Sequence, residues 1–164
     1  MLAKKMQRIR SFFASFQAAA RGIGVSVLSE RNLRFHLVAA GFVLILRSGF
    51  ELSAAEDGVL FLTIGAVIAS ELLNTAVERA VDLCSPERHP LAAWAKDAAA
   101  GAVLILVIAS VAVGIRLFWR PQVLRAMLAG LIASPIALTA LLAAVGLGIW
   151  FIFFFGESPS RSQK

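Results

Sequence analysis

Apolar and polar positions alternate along this chain in blocks rather than singly. Residues 4–23 come first: Ile9, Phe12, Phe13, Phe16, Ala20 and Ile23 recur at steps of three and four, and Arg8, Ser11, Ser15 and Arg21 fall mainly elsewhere. That period places the aromatic residues on one helical face. A basic helix with such a face beds into the headgroup boundary of a bilayer, so 4–23 is expected as a surface helix. A short charged stretch, Ser29 to Arg34, leads into the almost wholly apolar Phe35–Leu46, which His36 interrupts near its start. Extended to Phe50 with Arg47 snorkelling outward, residues 34–50 reach the roughly 17 residues that a short span requires. Further apolar blocks predict spans at about 59–81 and 98–118, and a fourth from Leu124 to Phe155.

The expected organisation is therefore all-α integral membrane. An amphipathic surface helix and three spans make a first domain over residues 1–122, an additional C-terminal span occupies 123–156, and 157–164 is a polar tail. Composition agrees. Of 164 residues, 59% are hydrophobic and 16% charged, against about 25% charged in an ordinary soluble domain. The net charge of +6 does not point to nucleic acid, because Lys4, Lys5, Arg8, Arg10 and Arg21 gather before the first apolar block, where they suit anionic headgroups. No cleavable signal peptide is read, and the single Cys84 has no partner for an internal disulfide.

Basic residues also orient the chain. With the N-terminus in the cytoplasm, twelve fall inside, and four (Arg47, Arg116, Arg120 and Arg125) fall outside, as the positive-inside rule expects. The three arginines around the Trp119–Pro121 turn run against that rule locally.

The chemistry lies in Ala69–Asp82, ASELLNTAVERAVD. Glu71, Asn74, Thr75, Glu78 and Asp82 share one helical face of an otherwise apolar span. A carboxylate inside the bilayer costs roughly 2.5–3.5 kcal/mol on translocon-based scales and by default marks function. A polar stripe gluing helices together accounts for Asn74 and Thr75 but poorly for three acids. The thirteen residues Gly58–Ser70 rise about 20 Å, so Glu71 lies within the bilayer toward its cytoplasmic face. Glu78 lies about 10 Å further on, at the interface. The two are too far apart to share one metal ion, and Glu30, just before the first span, is the partner at Glu78's depth. A second polar group, Pro86–Asp97, brings Glu87, Arg88, His89, Lys96 and Asp97 to the same side. Taken singly, Asp97 reads as a helix N-cap or first-turn residue, Lys96 as a snorkelling cation and His89 as a loop histidine. No GxxxxGK[ST] loop, kinase-type glycine loop or HExxH is present, so residue chemistry alone stops at an acid-lined site on the cytoplasmic face using a divalent cation.

The sequence resembles the prokaryotic diacylglycerol kinase and undecaprenol kinase family. The resemblance rests on Glu71-Leu72-Leu73-Asn74-Thr75-Ala76-Val77-Glu78, on Val81-Asp82, on Ala95-Lys96-Asp97-Ala98-Ala99-Ala100-Gly101-Ala102-Val103 and on Glu30-Arg31-Asn32-Leu33-Arg34-Phe35-His36. It implies an inner-membrane lipid kinase, homotrimeric with active sites shared between subunits, that phosphorylates undecaprenol or diacylglycerol from ATP with Mg²⁺. Glu71 would be the general base. Glu30 and Glu78 would hold the metal, and Arg10, Glu87, His89, Lys96 and Asp97 would join them on the nucleotide. Asn32, Arg34, His36 and Asn74 would meet the lipid beside Glu71. The Glu30–His36 stretch is closer to the undecaprenol branch. Three departures stand out. Ala18 replaces a tyrosine of the surface helix, Ser11 stands where the family has a nucleotide-binding arginine with Arg10 one position away, and the 124–155 span has no family counterpart. Two rivals remain: a small ion-conducting oligomer, which predicts polarity along a whole span, and a family member that has lost activity and serves as a membrane scaffold.

Overall fold

The computed structural model describes residues 2–87 and 89–156. Arg88 and the 157–164 tail lie outside the described residues, as do the side chains of Lys4, Lys5, Arg8 and Ile9. Among the described residues the chain forms six helices and no strand: α1 Leu2–Ser29, α2 Arg31–Arg47, α3 Ala54–Cys84, α4 Pro90–Phe118, α5 Pro121–Ala133 and α6 Pro135–Phe154.

Three of these, α3, α4 and α6, are long and apolar enough to cross a membrane. α2 is shorter, at 17 residues, and rises about 25 Å. Ser48, Gly49 and Phe50 then bond back to Ile45, Leu46 and Arg47, carrying its apolar stretch on to Phe50. α1 runs past the expected end at residue 23. Glu30 alone separates it from α2, with an extended backbone at φ −106° and ψ 111°, so the charged stretch Ser29–Arg34 is mostly helical. Phe12, Phe13 and Phe16 are each about 60% exposed. The aromatic face of α1 is thus not spent on the protein's own core, which suits a helix bedded in lipid.

α3 and α4 pack most extensively, with α2 against α3 and α6 against α2. At the end of the bundle where α2 turns into α3, Phe50, Leu60, Leu117 and Phe118 form the buried apolar cluster, with Leu124 and Met127 of α5 against it. A Cβ on Gly49 would run into the Met127 side chain. The same end is tied electrostatically. Arg47 pairs with Asp57, Arg120 pairs with Glu56 at 3.3 Å and donates to the Glu51 carbonyl at 2.9 Å. Ser53 and Glu56 close a capping box at the start of α3. Arg47, expected to snorkel freely, is therefore held by an acid. Of the three arginines around the Trp119–Pro121 turn, Arg120 is the one held in an ion pair among the described residues.

Where the sequence reading has one span over 124–155, the structure has two helices. Proline lacks an N–H and pushes the residue before it into extended backbone. Ser134 accordingly sits at φ −112° and ψ 101°, and its hydroxyl accepts from Ala137 N at 3.3 Å to cap α6. α5, with thirteen residues, is too short to cross and lies at the Phe50 end. α6 alone spans, running back along α2. Gly148 allows the approach, since a Cβ there would come within 2.9 Å of Val38 Cγ1. α4 likewise begins earlier than expected, at Pro90, capped by His89 Nδ1 accepting from Leu91 N at 3.2 Å. Asp97 is consequently well inside α4 rather than at its N-terminus.

Candidate functional site

α3 is apolar from Val59 to Ile68 apart from Thr63, whose hydroxyl bonds back to the Val59 carbonyl at 2.7 Å. Ser70 does the same to Val67 at 2.7 Å, and Thr75 to Glu71 at 3.0 Å. These hydroxyls satisfy themselves within the helix, as buried polar groups must. Glu71 has no such internal solution. Only 4% of it is exposed, and its Oε1 lies 3.1 Å from His36 Nε2 on α2. A carboxylate buried against apolar helices requires a donor, and His36 is that donor here. The remaining oxygen, Oε2, is the one left for a ligand.

One turn further on, Asn74 Nδ2 donates to Glu78 Oε1 at 3.0 Å. Asn74 Oδ1 is buried without a hydrogen-bond partner among the described residues, an acceptor oxygen waiting in the same stripe. Glu30, at the α1–α2 break, accepts from Ser29 Oγ at 3.1 Å and pairs with Arg79 of α3 at 3.6 Å. Arg79 also donates to Ser29 Oγ. Glu30 and Glu78 are both near enough for their charges to act on Glu71. The structure thus gathers Glu30, His36, Glu71, Asn74 and Glu78, five of the residues singled out in sequence, into one acid-rich site between α1, α2 and α3.

A second cluster adjoins it along α3. Asp82 pairs with Lys96 of α4, and both line a cavity of about 450 Å³ with Ser85, Glu87 and His89. His89 is part of the wall through its capping role. Asp97 is exposed on α4 and Asn32 exposed on α2.

Two residues are placed differently from expectation. Arg34, assigned to the lipid, is 7% exposed and spends its guanidinium on backbone. Nη1 donates to the carbonyls of Val27 and Leu28 at 2.9 and 3.0 Å, and Nε donates to that of Ile152 at 3.1 Å. Those are last-turn carbonyls of α1 and α6, the groups a helix leaves without partners. Arg34 is a joint between three helices, with Arg31 stacked 5.8 Å from the Phe153 ring beside it. Arg10 is exposed on α1, twenty residues before Glu30, or about 30 Å along an unbroken helix. It does not come to its own chain's acidic site. Arg79, conversely, was legible only as a basic residue, because its pairing needs the end of α1 brought against α3.

Among the described residues no group of three His, Cys, Asp or Glu side chains is arranged to hold a metal ion. The donor set suits Mg²⁺ nonetheless. Mg²⁺ is usually held by one or two carboxylates, keeping waters and phosphate oxygens as its other ligands. Glu30 and Glu78 come from different elements, and the unpartnered Asn74 Oδ1 adds a hard oxygen beside them.

A sequence-family model described as prokaryotic diacylglycerol kinase matches residues 17–118, which takes in α1 from Gln17 through the end of α4 and leaves α5 and α6 outside. An undecaprenol kinase of Bacillus subtilis is 47% identical over 110 residues, covering 67% of this chain and 89% of that protein. A diacylglycerol kinase of Synechocystis is 42% identical over 105 residues, 63% of this chain and 60% of the relative. A diacylglycerol kinase of Helicobacter pylori is 32% identical over 101 residues, 62% and 79% of the two chains.

Proposed function

Because the chain belongs to the prokaryotic diacylglycerol kinase family, we propose that its acid-rich site transfers the γ-phosphoryl group of ATP to the hydroxyl of a membrane lipid, with Glu71 as general base. That it is a lipid kinase follows from the family and from relatives named undecaprenol kinase and diacylglycerol kinase. The observation that carries the finer reading is the burial of Glu71 within an apolar helix, one oxygen held by His36 and the other open.

A lipid hydroxyl presented from the bilayer meets Glu71 Oε2. Glu71 takes the hydroxyl proton as the new O–P bond forms and the bond from phosphorus to the departing ADP oxygen breaks. Asn74 lines the reaction centre beside Glu71, with its buried Oδ1 unpartnered among the described residues. Glu30 and Glu78 would hold Mg²⁺, which when bound offsets the charge of the phosphates. Lys96, with Glu87 and His89 around the cavity beside Asp82 and Asp97 exposed next to it on α4, receives the nucleotide. Phosphoryl transfer asks mainly for positioning and charge neutralisation, and these residues provide both. Arg34 is left out of the lipid contacts, since its Nε and Nη1 are engaged by backbone carbonyls. Undecaprenol ranks ahead of diacylglycerol, on the Glu30–His36 stretch and the 47% identity to a protein of that name.

The site faces the cytoplasm in this reading, with the N-terminus inside and the chain in the bacterial inner membrane, because the basic residues concentrate at the site end. Homotrimeric assembly with shared sites suits a chain whose α4 has only 6% of its apolar window buried and whose Gly101 faces open space.

The test is phosphate transfer from labelled ATP and Mg²⁺ to undecaprenol and to diacylglycerol in separate mixed micelles. Glu71→Gln should lower turnover by at least about a hundredfold, the scale of a positioned base, and chelation with EDTA should abolish it reversibly. A Glu71→Gln protein as active as the parent would end the assignment of the base. A folded parent inactive on both lipids would turn the reading to a membrane scaffold.

A further inference from the structure

Among the described residues His36 is the side chain paired with the Glu71 carboxylate, and the sequence resemblance gives it a different task, contact with the lipid. We infer that His36 is instead a positioning residue: its Nε2–H donates to Glu71 Oε1 and thereby fixes which carboxylate oxygen, Oε2, faces the lipid hydroxyl. This rests on the reading of Glu71 as general base and deepens it.

Three observations bear on it. The Nε2–Oε1 separation is 3.1 Å, within hydrogen-bond range. The side chains of His36 and Glu71 are only 16% and 6% exposed, so water does not substitute freely for either partner. The two come from different helices, α2 and α3, so the contact is not a by-product of local helix geometry. An ionised carboxylate only accepts, so in this arrangement Nε2 carries the hydrogen. The imidazole itself is braced, its ring standing edge-on to Phe35 at 5.5 Å between centroids and 82° between planes. A carboxylate can otherwise rotate about its last torsion, which is broad and two-fold. A single fixed donor on Oε1 removes that freedom, and a base off by an ångström loses much of its effect. In this arrangement His36 needs to donate a hydrogen bond and never needs to change charge.

The experiment separates positioning from lipid contact and from proton relay by substitution chemistry. Turnover and lipid KM are measured in mixed micelles for the parent, His36→Gln, His36→Asn, His36→Phe and Glu71→Gln, each checked for folding by thermal unfolding. The Gln amide nitrogen falls near the Nε2 position and donates without titrating, whereas the Asn amide falls near Nδ1 and is too short to reach. Positioning predicts that His36→Gln keeps kcat within about threefold of the parent. His36→Asn and His36→Phe should lose roughly ten- to a hundredfold in kcat, the lower part of what placed acid–base groups contribute, with lipid KM unchanged. If His36→Phe does not fold, the Gln–Asn contrast carries the same decision. Equal loss in Gln and Asn would overturn the proposal in favour of a titrating relay, a rise in KM without loss of kcat would return His36 to the lipid, and full activity in all three would remove any role. A Glu71→Gln protein with parental activity would instead refute the base on which the inference stands, whatever the His36 variants do.

Discussion

Two ionisable residues in the bundle interior, Glu71 and Arg34, solve the same problem in opposite ways. Both are nearly inaccessible, at 4% and 7% exposure, and each must find partners or destabilise the fold. Arg34 finds three carbonyls at helix ends and spends its guanidinium on them. Glu71 has the His36 ring beside one of its oxygens, which in the proposed reading leaves the other oxygen for the substrate. Arg34→Ala should therefore lower stability by about 2–3 kcal/mol, the scale of leaving buried polar groups unsatisfied, while the protein that remains folded keeps its lipid KM. Arg34→Lys should recover little, because a point charge cannot span three carbonyls as a planar fork does. Thermal unfolding in detergent together with lipid kinetics checks both, and a raised KM at full stability would put Arg34 back on the substrate. The sequence alone marks Glu71 as out of place in an apolar span and Arg34 as the last of a charged stretch, and it offers both for the site. It could not tell them apart, because the difference lies in carbonyls 6, 7 and 118 positions away.

At the scale of elements, what was legible followed from periodicity. The shared face of Glu71, Asn74, Thr75 and Glu78 is a property of one helix, and the structure keeps it. Pairings between helices were less so: the depth argument matched Glu30 with Glu78, whereas the structure pairs Glu30 with Arg79 and Asp82 with Lys96, which nothing in the order of residues foresaw. The break at Ser134–Pro135 was in plain view as a serine before a proline, and hydropathy averaged over the whole stretch concealed it. That break matters, because it leaves α5 at the far end and returns α6 along α2 to meet Arg34. α6 touches α2 through Gly148, the Ile152 carbonyl and the Phe153 ring against Arg31, and among the described residues no α6 side chain is paired with Glu30, Glu71, Asn74 or Glu78. Gly148→Leu should then push α6 away from Val38, costing about 1–3 kcal/mol as overpacking does, with turnover at a permissive temperature largely kept. A loss of turnover exceeding the loss of folded protein would mean that α6 shapes the site as well as bracing it.

For the molecule as a whole, the length of α1 sets the question. An unbroken helix from Leu2 to Ser29 carries Arg10 about 30 Å from the Glu30 of its own chain. If Arg10 contacts a nucleotide held by Glu30 and Glu78, that nucleotide belongs to a neighbouring subunit, and each site of a trimer is built from two chains. Complementation distinguishes this from a self-contained site. Arg10→Ala and Glu71→Gln, each inactive alone in the shared-site arrangement, are unfolded together, mixed in equal amounts and co-assembled. A working site then needs an intact Arg10 from one chain and an intact Glu71 from its neighbour, each supplied with probability one half, so activity should return to about a quarter of the parent's, as closed cyclic symmetry with random mixing requires. Mixing the two after separate assembly should give none. If co-assembly also yields none, the site lies within one chain. If Arg10→Ala is fully active by itself, the arginine does not serve the nucleotide, and the exposed aromatic face beside it leaves α1 the role of holding the kinase to the headgroup layer.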